Sequence, residues 1–325
     1  MPSTITHSYF IMDIYDRLPI NRKQFLLGQK ENLKVFSQSL DVLNFYTSFD
    51  FKKNKKVRNF SKIFHTKKTG DYIITLINYI KYNNYSNDPE IMSFLYGIIS
   101  HYVLDSTIHP YIYYKTGLFN RHDKTTYKYN CKHHVLENLI DQYMVKLRES
   151  ILPNKFKYYK QLKINQYNDN LTEIINFSFK EVYKISKIDD VLLKSTKNMK
   201  SAFKYLRYDP VGIKIRLYSV IDLILPNSIP KISFLSYDIK NKYFDDYLNI
   251  SHKKWHYPTK KSKKYNYSFI DLYLISLSNA INIIREVDLY IYKDKKVNLE
   301  NIIQNKSYLT GMDLKSNQEL KYFEF

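Results

Sequence analysis

The chain has 325 residues, enough for one large domain or two small ones, and its 44% hydrophobic content is that of a globular protein. Lys and Arg number 51 against 31 Asp and Glu, a formal net charge of +20; most of this reads as a solvated lysine surface, and its functional counterpart is attraction to phosphate-bearing partners. Six Gly argue against a sheet-rich fold and a glycine-rich phosphate loop, and the single Cys131 excludes an intramolecular disulfide.

The first residues, Met1 to His7, carry neither a basic leader nor a long apolar run, so no secretory signal is expected. Nor is any stretch of about 20 residues free of charge, so no transmembrane helix is expected. The expected location is the cytoplasm, with peripheral contact at the inner membrane face as an extension of it. Residues 4–18 read as a first helix, 22–29 as a second and 32–43 as a weaker third. Residues 51–59, with the run Lys52-Lys53-Asn54-Lys55-Lys56, read as a basic loop. A strongly apolar helix is expected over 72–82.

Asp88-Pro89-Glu90 is a helix start: a capping Asp, Pro at the first helical position and an acid in the first turn. The helix that follows holds His101, Asp105 and His109 at steps of four, and Pro110 is expected to end it. Residues four apart share one helix face, so an acid and two imidazoles lie on one stripe of an apolar segment. Burying them is costly unless something compensates their charge, and a divalent cation does so. A loop is expected over 115–131, then a helix over 132–148 with a second such pair, His133 and Glu137. His134 is the alternative to His133, and Asp141 continues that face as a supporting partner.

Upstream, His7, Asp41 and His65 are further ligand candidates, and seven of the nine His lie at or before residue 134. A nitrogen and oxygen donor set without thiolate suits hydrolytic zinc, with manganese or iron as substitutes.

Beyond 150 the pattern stays helical, with helices expected over 171–186, 189–206, 211–224 and 267–292. Residues 253–264 read as a basic loop around Trp255, a loop that either anchors on the core or touches a lipid interface. No alternation suggests a sheet, and no repeat or low-complexity linker is seen. The chain is therefore divided into 1–150, carrying the ligand candidates, and a helical part 151–325 packed upon it. The adjacent pair His122-Asp123 is shared with HD-type phosphohydrolases, but that reading leaves the other His and acid pairs unexplained.

Thr6-His7, Ser39-Leu40-Asp41, His65, His101-Tyr-Val-Leu-Asp105-Ser-Thr-Ile-His109-Pro110 and His133-His134-Val-Leu-Glu137 together resemble, in kind and order, the bacterial zinc-dependent phospholipase C family. Less specifically, residues 249–271 and Ser307-Tyr-Leu-Thr-Gly311 are similar to the C-terminal part of its signal-less members. The resemblance implies an all-α multi-helix bundle around a cluster of two or three zinc ions. By that resemblance Asp41, His65, His101 and Asp105 hold one ion; His109, His133 and Glu137 hold a second; His7 and a bridging Asp105 hold a third. Asp41, or a hydroxide bridging the metals, activates the attack on phosphorus. Secreted members complete the third site with an amino-terminal tryptophan; here none stands there. Pro2 is the nearest substitute, and five residues reach about 17 Å, enough to fold back beside His7. No β-sandwich lipid-binding domain of the toxin kind is recognisable.

The function implied is a zinc metallohydrolase acting on a phospholipid or related phosphodiester. Two rivals stand beside it. The zinc nucleases that cut single strands share fold and metals, and nucleic acid suits the positive charge. A zinc-stabilised binding protein without turnover is the other.

Overall fold

The computed structural model describes residues 4–163, 165–293, 295–316 and 318–324. Its helices in chain order are α1 (Thr4–Arg17), α2 (Ile20–Phe25), α3 (Lys30–Phe36), α4 (Phe51–Thr66), α5 (Thr69–Tyr82) and α6 (Pro89–Thr116). They continue with α7 (Lys132–Glu149), α8 (Asp169–Tyr183), α9 (Asp189–Ala202), α10 (Ile213–Ile224), α11 (Phe269–Lys293) and α12 (Leu299–Ile302). Short 3-10 turns join them, among them Ser39–Phe45. The fold is all-α, as the sequence implied.

The axis of the bundle is α6. Asp88 caps it, its Oδ1 accepting from the Glu90 and Ile91 N–H groups at 2.9 and 3.2 Å. The helix is long and apolar enough to cross a membrane, yet nearly all its side chains are buried in the protein, so it is a core helix. Around it pack α1, α3, α5, α7 and α11. The approach of α3 is close: a Cβ on Gly97 would lie 2.6 Å from the Phe36 carbonyl carbon, so only glycine fits there. From the later half of the chain, α11 lies on α6 and α1, α8 on α5, and α9 on Ser39–Phe45.

Three expectations are corrected. First, residues 51–59 are helical rather than a loop. Asp50 caps α4 through the Lys53 N–H at 3.0 Å, and only Val57, Ser61, Phe64 and His65 are buried. The lysine run is the wet face of an amphipathic helix, and lysine is a good helix former. Second, Pro110 does not end α6, which runs on to Thr116. Loss of one helical hydrogen bond is offset by complete burial of Tyr111 and Ile112 beyond it. The carbonyl of Ser106, which Pro110 leaves without its helical N–H, is approached by the backbone at Gly311, where φ is +63° and a Cβ would lie 2.3 Å from that oxygen.

Third, the basic loop at 253–264 contains a hairpin, β1 (Trp255–Tyr257) paired antiparallel to β2 (Lys260–Tyr265), with Trp255 opposite Tyr265 and His256 opposite Lys264. The alternation is weak because β2 is exposed almost throughout. Trp255 is buried against Tyr111 and Tyr265, with ring centroids 5.4 and 5.2 Å away, and its Nε1–H donates to the Tyr267 carbonyl at 3.0 Å. It anchors the hairpin on the core. The weak helix at 32–43 is in fact α3 followed by the turn Ser39–Phe45.

Candidate metal centre

Five elements bring the eight ligand candidates together. His101, Asp105 and His109 project from one stripe of α6, and His133 and Glu137 from the first turns of α7. Asp41 lies in the turn Ser39–Phe45, His65 in the last turn of α4 and His7 in the first turns of α1. The start of α1 is held by Asp141 of α7, buried, whose carboxylate accepts from the Ile5 N–H at 3.2 Å, the Thr6 N–H at 2.9 Å and the Thr6 hydroxyl at 2.7 Å. The Tyr237 hydroxyl also donates to it at 3.0 Å. Asp141 thus satisfies N–H groups that a helix start leaves unpaired, and fixes His7 one residue on.

The ligand atoms fall into two groups, each compact enough to surround one ion: Asp41, His65, His101 and Asp105, and His109, His133 and Glu137, with donor atoms within 4.8 Å of one another. In the first, His65 Nε2 is 3.0 Å from Asp41 Oδ1, and His101 Nε2 is 3.4 Å from Asp41 Oδ2 and 3.3 Å from Asp105 Oδ2. In the second, His133 Nε2 and His109 Nε2 stand 2.9 and 3.7 Å from Glu137 Oε1. His7 Nε2 reaches the other oxygen of Asp105 at 3.1 Å, and its ring stacks on His101 with centroids 4.3 Å apart. Asp105 therefore faces His7, His101 and His65 at once, and lies 3.7 Å from His109 Nδ1.

These residues fit a divalent cation by their own chemistry. Both His7 nitrogens, the Nε2 atoms of His65, His101 and His109, and both Asp105 oxygens are buried with no hydrogen-bond partner of acceptable geometry among the described residues. Such groups are rare in native structures unless something else compensates them. Meanwhile the outer nitrogens of three rings are engaged. His101 Nδ1 donates to the Ser37 carbonyl at 3.0 Å, His109 Nδ1 to the Tyr308 carbonyl at 2.9 Å, and His65 Nδ1 to the Ser61 carbonyl. A carbonyl only accepts, so each ring presents an N–H at Nδ1 and leaves Nε2 as the atom turned inward, the orientation of metal-ligating histidines.

The electrostatics agree. Burial opposes the ionisation of Asp105, yet His109 and His101 hold its carboxyl well below the usual range. For Asp41 burial is likewise overcome, by His65 and His101. His101 is pushed up to about 9, burial opposing and Asp105 and Asp41 favouring its charge. Burial holds His109 down to about 3 and His133 well below its ordinary value. Positive charge is favoured beside the two aspartates, while the second group offers neutral imidazoles ready to coordinate.

A cleft of about 540 Å³ opens over the centre. His65, His109 and His133 form its floor, and Tyr113, Leu118, Phe119, Tyr129, Pro230 and Leu309 much of its wall, with Lys62 the single lysine or arginine in it among the described residues. Three contributors escaped sequence reasoning: the Ser37, Ser61 and Tyr308 carbonyls carry no side-chain signal. Asp141, expected to support the ligand face of α7, is spent on α1. Tyr308, within the segment 307–311, packs its ring 5.0 Å from that of His65. Of the other candidates, His134 Nδ1 is 3.6 Å from Glu137 Oε2, but the ring is half-exposed and stacked on Phe234. His122 and Asp123 belong to neither group; Asp123 caps the turn Lys124–Tyr129 through the Thr125 N–H. Pro2 lies outside the described residues.

No curated protein and no solved structure matches the chain significantly. The model of the zinc-dependent phospholipase C family matches residues 6–187, which include all eight ligand candidates.

Proposed function

The chain belongs to the zinc-dependent phospholipase C family, with zinc as its cofactor, and we propose that it hydrolyses a phospholipid on the glycerol side of the phosphodiester. The observation that carries this reading is the pair of His and carboxylate groups, from which His65, His109 and His133 reach the floor of one largely apolar cleft. In the assignment that the geometry supports, Asp41, His65, His101 and Asp105 hold one ion, and His109, His133 and Glu137 a second. His7 and the far oxygen of Asp105 supply two donors to a third. Zinc so held lowers the pKa of a bound water towards neutrality and neutralises charge on phosphoryl oxygens.

The protein's own contribution is positional. Asp41 Oδ1 lies 3.5 Å from the Ser61 hydroxyl, which with Lys62 stands in the cleft wall. This carboxylate is held ionised and is the acceptor for the proton that the attacking water gives up. Lys62 offers a charge to the phosphate, and the Tyr113, Phe119 and Leu118 side chains exclude water around it and receive the glycerol and acyl portions. The wall favours this reading over nucleic-acid cleavage: a polynucleotide groove needs a series of cations along the backbone, and among the described residues Lys62 is the one lysine or arginine lining this cleft.

The test is release of phosphorylated headgroup from phospholipid by zinc-loaded protein. Asp41→Asn should lower kcat by about 10²- to 10⁴-fold with zinc retained. Asp105→Ala, which removes a group shared by several ligands, should abolish turnover together with bound zinc. Cleavage of single-stranded nucleic acid with no lipid turnover would overturn the proposal.

A further inference from the structure

Helix α10 is built inside out. Ile213, Leu217, Val220 and Ile224 recur at helical spacing on one stripe, and they are 63, 56, 62 and 79% exposed. Leu223, 84% exposed, flanks them. The buried side of the helix is polar instead. Asp222 accepts from the Ile232 and Ser233 N–H groups at 2.6 and 3.1 Å, and the Tyr218 hydroxyl donates to the Leu206 carbonyl at 3.2 Å. At its start, buried Asp209 accepts from the Ile213 and Ile215 N–H groups, both at 3.1 Å. The helix is thus fastened by hydrogen bonds while its apolar stripe faces outward, the reverse of a surface helix that packs on a core.

Two further observations identify what covers it. The first is charge. Between residues 204 and 224 stand Lys204, Arg207, Lys214 and Arg216, and the only acids, Asp209 and Asp222, are both buried. An exposed apolar stripe in a segment whose acids are buried and whose Lys204 and Arg216 are exposed is the pattern of an interfacial helix on an anionic bilayer. The second is continuity with the cleft. The chain leaving α10 becomes the cleft wall at Pro230, six residues past Ile224 and so within about 20 Å of it. That chain is also tied to the cleft lining at Asn130, whose side chain donates to the Asn227 and Ile229 carbonyls at 2.7 and 2.9 Å.

We infer that the outward stripe of α10 docks the protein on an anionic membrane surface, beside the mouth of the cleft, so that a phospholipid passes from the bilayer to the metal centre. This rests on the phospholipase reading, and it assigns the lipid contact to α10 rather than to the Trp255 hairpin.

The test is sedimentation of the zinc-loaded protein with vesicles of phosphatidylcholine containing about 30% phosphatidylglycerol, and with phosphatidylcholine alone. Leu217→Ser/Val220→Ser/Ile224→Ser changes only exposed side chains, and it should lower binding to the anionic vesicles by about tenfold or more. Arg216→Glu should weaken binding to the anionic vesicles and leave the residual binding to neutral ones unchanged. Both variants should hydrolyse a monomeric short-chain phospholipid at the parent rate, and the triple variant should turn over vesicles more slowly in proportion to its lost binding. Undiminished vesicle binding by the triple variant overturns the inference. So does loss of self-association in that variant with vesicle binding retained, which would make α10 a contact between copies. The two readings fail separately. Hydrolysis of the short-chain lipid by a parent protein that binds neither vesicle sinks the docking surface alone; stripe-dependent binding without hydrolysis of any lipid sinks the phospholipase reading alone.

Discussion

Asp141 shows how one side chain connects sequence to site. It lies on α7 at the step of four after Glu137, and by spacing alone it belongs to the ligand face. Its carboxylate is instead taken up by the Ile5 and Thr6 N–H groups, the Thr6 hydroxyl and Tyr237. Replacing it with Ala strands several buried donors at the start of α1. Asp141→Ala should therefore cost on the order of 3 kcal/mol, read as a lower midpoint in urea, and should loosen His7 with it. Asp141→Asn keeps an acceptor and should cost less; equal losses would contradict the capping role. The ligand types themselves were legible, because an acid and imidazoles at steps of four on an apolar helix have few structural explanations. Their orienting partners at Ser37, Ser61 and Tyr308 were not, since every residue has a carbonyl and only the fold decides which one meets a ring.

At the scale of elements, the sequence was most informative where local chemistry and tertiary packing agree. The start of α6 at Asp88-Pro89 and the ligand pair on α7 are cases of this. It misled where packing overrides local preference, as when burial of Tyr111 and Ile112 carries α6 past Pro110. The lysine run of α4 misled for another reason: the only apolar residues in 51–59 are Phe51 and Val57, and of these Val57 alone is buried. The junction of α3 with α6 makes a sharper prediction. Gly97 leaves no room for a side chain against the Phe36 backbone, and His101, one turn on, bonds the Ser37 carbonyl beside it. Gly97→Val should push α3 outward, lower stability by about 1–3 kcal/mol, and weaken zinc retention through His101. Thermal unfolding and metal content report the two effects; an unchanged melting temperature would show that the helices are not in contact there.

For the whole molecule, the bundle holds its metal centre by elements far apart in sequence, and a cation there is part of what stabilises the fold. Part of the positive charge, unspecific in the sequence, gains a location at α10, whose Asp222 is buried and whose Arg216 is exposed. The most direct test of the account is zinc per chain, by elemental analysis, in the untagged protein and in His101→Ala. The account predicts two or three zinc ions per chain in the parent, falling in the variant, with a lower melting temperature once the parent is stripped by chelator. A parent that retains no zinc when zinc is supplied, or a variant that retains as much as the parent, would contradict it.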